Sequence, residues 1–137
     1  MAGNLGFLTA DELLNFLYRG TAITIGSSLW LRLLTVASNR SGTGATETTY
    51  SGYARKELPR GSTIFSVSAS GVITNSVVIE FPQSNDAGNG DIAAFDIVDT
   101  SAGAINKRYH GGPVSPAKII QVGKKPTFRA GALILTL

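Results

Sequence analysis

His110 is the one histidine of the chain, and cysteine is absent. Histidine is the side chain best suited to moving a proton near neutral pH, so an acid–base centre would be built around it or around paired carboxylates. The segment His110-Gly111-Gly112-Pro113 reads as a turn, and His110 is expected to be structural or at the surface. Ser66, Ser68, Ser70 and Ser76 fall in strand-like alternation, without the Gly-x-Ser-x-Gly elbow that exposes a nucleophilic serine. Asp91, Asp96 and Asp99 flank apolar strand residues. Asp86, Asn89 and Asp91 offer oxygen ligands, but their spacing is not that of an EF-hand loop, and they read as solvated loop residues. Without cysteine there is no thiol nucleophile, thiolate metal site or disulfide framework. Gly42 and Gly44 suggest a phosphate loop only superficially, since neither Lys-Ser/Thr nor a helical pattern follows. No catalytic, cofactor-binding or metal residue is assigned. No cofactor and no small-molecule substrate are expected, and the chain is not expected to be an enzyme.

Charge and aromatic patterns narrow the partners. The basic pairs Arg55-Lys56, Lys107-Arg108 and Lys124-Lys125 are scattered and accompany no recognition helix or RNP-type motif, so nucleic acid is not expected. Trp30, Tyr50, Tyr53 and Tyr109 read as core and interface aromatics. The net charge is +3, compatible with docking on an acidic surface. Only 15% of residues are charged, against about 25% in an average soluble domain, which points to extensive surface buried against something else. The longest uncharged run, residues 61–79, is rich in Ser, Thr and Asn, whereas a membrane span needs about 20 mainly apolar residues. No membrane span is expected, and Asp11 and Glu12 come too early for a signal peptide. Asn39-Arg40-Ser41 matches a glycosylation sequon, without meaning in a chain that is not secreted.

One helix is signalled, over about residues 9–20. Thr9 and Glu12 have the spacing of a capping box, and Leu8 and Leu13 that of a hydrophobic staple. Leu13, Leu14, Phe16 and Leu17 supply an apolar face, and Gly20 a stop. This helix is expected to close one end of a sandwich, with a docking arm as the alternative. From Gly26 onward the period becomes two: Leu29, Leu31 and Leu33 alternate with Trp30, Arg32 and Leu34. Further strands are expected at 52–57, 62–68, 76–81, 91–99, 104–110, 117–122 and 130–137. Two polar, glycine-rich segments, 38–49 and 82–90, read as flexible loops. About eight strands at regular spacing predict an all-β fold, a jelly-roll-like antiparallel β-sandwich with one short N-terminal helix. Residues 1–137 are read as a single domain, with the sandwich over 28–137. The expected core holds Leu29, Leu31, Leu33, Ile64, Val77, Ile79, Phe95, Ile97, Leu133 and Leu135.

The order of short motifs resembles a family of small virion structural proteins of tailed phages, often labelled tail-fibre-like. Its layout opens with a D-x-L-L-N-x-x-x-R-x-T helix, here Asp11, Leu13, Leu14 and Asn15 with Arg19 and Thr21. There follow Leu31-Arg32-Leu33-Leu34-Thr35, Tyr53-Ala54-Arg55, Asn75-Ser76 with Phe81-Pro82, and the final segment 130–137. The family's I-x-x-x-x-I-x-D-A segment departs here, as Ile92 with Phe95-Asp96-Ile97-Val98-Asp99. The size also resembles the jelly-roll cement proteins on the heads of short-tailed phages. The resemblance implies a capsid cement, or decoration, protein on the outer surface of the virion head; the alternative is a small tail or tail-fibre-associated protein. The implied partners are the major capsid protein and a second copy of the chain, most simply as a homodimer. Arg40, Gly42, Thr43, Gly44 and Arg55 are the candidate capsid-docking residues.

Overall fold

The computed structural model describes residues 2–136. It is the expected all-β fold with one short helix, and it begins earlier than the sequence suggests. Strand β1 (Ala2–Leu5) precedes helix α1 (Phe7–Arg19). The long strand β2 (Ser28–Val36) pairs antiparallel with β8 (Ile92–Val98). Its other edge carries the short strands β3 (Thr46–Glu47) and β4 (Lys56–Pro59). β8 pairs with β9 (Arg108–Lys118), and β9 with β1. On its second edge β1 runs parallel to β11 (Ile134–Thr136), a departure from the purely antiparallel expectation. β11 then pairs with β6 (Val72–Asn75), and β6 with β5 (Phe65–Ala69). A separate ribbon joins β7 (Ile79–Glu80) to β10 (Thr127–Phe128). β1 is therefore the strand that joins the two halves of the sheet.

The core forms where the alternating side of β2 and β8 meets the ribbon and the β11 region. Leu31, Leu33, Phe95 and Ile97 pack with Ile79 and Leu133, as expected, and Leu29, Ile64 and Leu135 lie half-buried against them. Val77 is instead exposed, because it lies in the irregular stretch between β6 and β7. The aromatic centre adds Tyr50, Phe81 and Phe128, none of which was among the expected core residues. Phe95 meets Phe128 edge to face, with ring centroids 6.3 Å apart, a favoured aromatic geometry.

Three local expectations are corrected. The helix starts two residues before Thr9, with Gly6 at the N-cap and no side-chain cap. A Cβ on Gly6 would lie 1.8 Å from the Arg108 carbonyl oxygen, so only glycine lets the chain pass there. The Thr9 hydroxyl consequently donates to the Arg108 carbonyl instead of capping. Gly20 does end the helix, in the left-handed conformation at φ 67°. Second, residues 110–113 are not a turn but the middle of β9, paired with β8 and β1; the expected strand at 104–110 starts only at Arg108. Third, neither polar loop stands free. Asn39 accepts from the Ser41 and Thr43 amides, closing an Asx-type turn over residues 39–43. In the second loop, Asp86 accepts from the Gly88 and Ser51 amides and Asn89 from the Thr49 amide, tying 82–90 to 48–52.

Candidate interaction site

Of the titratable side chains weighed for chemistry, His110, Asp86, Asp96 and Asp99 are held in structural bonds, and Asp91 is exposed. His110 is 6% exposed. Its Nε2 lies 2.6 Å from the Thr136 carbonyl, and its Nδ1 accepts from the Gly111 amide, which makes Nε2–H the donor. Burial pushes its pKa below the usual imidazole value, and the Arg108 charge acts the same way against the opposing Thr136 bond. Asp96 is 1% exposed and sits between two arginines. Its carboxylate accepts from Arg32 at 2.7 Å, from Arg108 at 2.8 Å and from the Ser38 hydroxyl at 2.8 Å. Such a buried triad is satisfied only while every partner is present. Gly111 lies beneath it: an added Cβ would stand 2.2 Å from the Asp96 carboxylate and 2.3 Å from the Arg108 guanidinium. Among the described residues, no three His, Asp or Glu side chains converge as a metal site would need.

Arg55, one of the five candidate docking residues, is interior. Its guanidinium grips Glu47 at 2.9 and 2.8 Å and also donates to the Thr100 and Gly103 carbonyls. Burial raises the Glu47 pKa, but bonds from Arg55 and Tyr53 outweigh it, and the net shift is downward. With its donors spent inside the fold and 8% of it exposed, Arg55 offers nothing to an outside carboxylate. Gly42 is also buried: its carbonyl accepts from Arg32, and its backbone at φ 83° packs on Ile105 and Arg108. Leu34, on the face of β2 opposite Leu31 and Leu33, is fully buried as well.

Arg40, Thr43 and Gly44 do reach the surface. Arg40 stands at the root of α1, its guanidinium 4.4 Å from the Phe7 ring centre. Its carbonyl accepts from the Phe7 amide, and its Nε donates to the Leu5 carbonyl. The turn and the start of the helix therefore make one continuous surface.

The helix carries the larger surface. α1 rests on the start of β9 through the Thr9–Arg108 bond and an ion pair between Glu12 and Lys107. It has no buried residue. Phe7, Leu14 and Tyr18 recur at the spacing of one helical face, and with Leu17 they are between 49% and 80% exposed. The helix thus does not close the sandwich by burying its apolar residues. An isolated helix shorter than about 12–15 residues is marginal in water, so this one gains most if a partner covers its outer face. The signal was present in the sequence: apolar residues at positions 7, 8, 13, 14, 16, 17 and 18 go all the way round the helix, more than one buried face can use.

An all-β scaffold whose buried charged groups are paired within the fold, and whose apolar helix is left uncovered, fits a structural protein that presents a surface to a partner. Over residues 5–136 the chain matches a family model described as podophage GP4 fiber I protein gp80, and it belongs to that family of phage virion structural proteins. No curated protein sequence matches it.

Proposed function

We propose that the chain is a non-catalytic, fibre-associated structural component of a short-tailed phage particle, bound to its neighbours through the outer face of α1 and the Arg40 turn. The observation that carries this reading is the uncovered stripe Phe7, Leu14, Leu17 and Tyr18 on a chain of the fibre-protein family. Large exposed apolar patches mark interaction surfaces, and Arg40 supplies a cation at the edge of this one. A second copy of the chain is the further partner: among the described residues β5 ends the strand order with an open edge, and Val67 there is 75% exposed. The reading of the chain as a capsid cement, docked on the major capsid protein, draws on the low charged fraction. Immunogold labelling of purified particles separates the two. Label on the tail apparatus is the expected result; label spread over the heads would replace the fibre reading with the cement one.

A further inference from the structure

We propose that the cleft at the far end of β9 is a second docking site, built for an acidic segment of a partner protein that inserts one apolar side chain. α1 rests at the beginning of β9, whereas this cleft is lined by Val114 and Lys118 towards its end. The two sites are independent, and this one does not rest on the fibre reading. The cleft holds about 430 Å³, within the range of roughly 300–1,000 Å³ usual for pockets that enclose a compact group. Its floor is the protein core itself: Leu33, Ile92, Val114 and Phe128, all nearly fully buried.

The rim has one sign of charge. Lys118, Lys124, Lys125 and Arg129 all line the cleft, and all four are exposed. Among the described residues, the ion pairs present are those of Arg32, Arg55, Lys107 and Arg108, so none of the four rim cations is neutralised. Glu80, opposite Thr127 across the ribbon, makes no ion pair with them. Lys118 is steered over the cleft, donating to the Thr127 carbonyl at 3.0 Å with its ammonium 5.6 Å from the Phe128 ring centre. Ile119, beside it, is 71% exposed and extends the apolar lip.

Four cations around an apolar hole select a group that is apolar at its tip and anionic around its base. A phosphate backbone would use the cations and leave the floor empty. A side-chain anchor flanked by carboxylates uses both, as interface hot spots do, with the charges steering encounter.

The test is an amide-shift titration of the full chain with an acetylated Asp-Glu-Phe-Asp-Glu peptide. Saturable shifts are expected at Ile120, Phe128 and Ala132. Affinity should fall by about tenfold or more for Asp-Glu-Ala-Asp-Glu, for the chain carrying Lys124→Glu with Lys125→Glu, and for the parent when salt is raised from about 0.05 M to about 0.5 M. The salt series keeps the test open should the double variant fold poorly. Equal binding of Lys-Lys-Phe-Lys-Lys, shifts confined to α1, or tighter binding of dodecanoate or of a single-stranded oligonucleotide would each overturn the proposal.

Discussion

At the scale of single residues, the fold depends on a few polar groups sealed inside a β structure. Asp96 joins β8 to β2 through Arg32 and to β9 through Arg108. Asp96→Ala leaves two buried guanidiniums without their carboxylate, and breaking a buried pair in this way costs about 3–5 kcal/mol; urea unfolding of the variant checks this. His110 makes stability depend on pH. Its folded pKa lies below the unfolded value of about 6.5. Above that value both states are neutral and the residue has no pH effect. As pH falls below it, the unfolded chain takes up a proton that the folded site resists, and stability drops. The melting temperature should therefore fall between about pH 7 and pH 5, and His110→Gln, which keeps a donor for the Thr136 carbonyl, should lessen that fall. An identical pH profile for parent and variant would assign the loss to carboxylates such as Glu47.

At the scale of elements, α1 is the part whose removal from solvent matters most outside the fold and least within it. Its inner contacts are the Thr9 hydroxyl bond and the Glu12–Lys107 pair, while Leu14 and Tyr18 point away from them, 54% and 80% exposed. Leu14→Ser with Tyr18→Ser should change folding stability by no more than about 0.5 kcal/mol per site, as surface substitutions do. The same variant should be missing from assembled particles, measured by mass spectrometry of purified virions. A marked loss of melting temperature would mean that the outer face supports the fold. Two motif residues outside the helix behave differently. Tyr53 donates to Glu47 and accepts from the Leu33 amide, and Asn75 bonds the Val77 and Arg129 carbonyls and the Leu133 amide. Tyr53 and Asn75 thus hold the scaffold together from within.

At the scale of the whole molecule, the sheet order leaves β5 at one end, with its outer edge unpaired among the described residues. Proteins protect such edges with charge or by pairing, and the residues of β5, Phe65–Ala69, carry no charge. Val67→Lys should therefore reduce self-association, read by sedimentation velocity over a concentration series. A parent chain that stays monomeric throughout would remove the second copy from its partners. The opposite end, where β3 and β4 share the edge of β2, is closed by the Glu47–Arg55 pair and its bonds to Thr100 and Gly103.

How much of this was legible in the sequence depends on how local the cause is. The period-two run of β2, the β8 strand and the left-handed glycine ending α1 follow from neighbouring residues, and so does the all-β class. The helix start did not follow, because Gly6 is chosen by the Arg108 carbonyl a hundred residues away, which overrides an adequate capping box. Residues 110–113 look like a turn because glycine and proline break isolated strands; here β1 and the Asp96–Arg108 pair need a backbone without side chains at Gly111. The polar loops look free because hydrophilic side chains give no sign of which backbone amides they will bond. Arg40 and Arg55 are alike in sequence, yet only long-range pairing puts one beside Phe7 at the surface and the other against Glu47 inside. Local pattern by itself determined the all-β class, the long strands β2 and β8 and the presence of one helix; tertiary structure alone decided the remaining strand pairings and which charges and apolar faces remain for a partner, since burial is a property of what the rest of the chain covers.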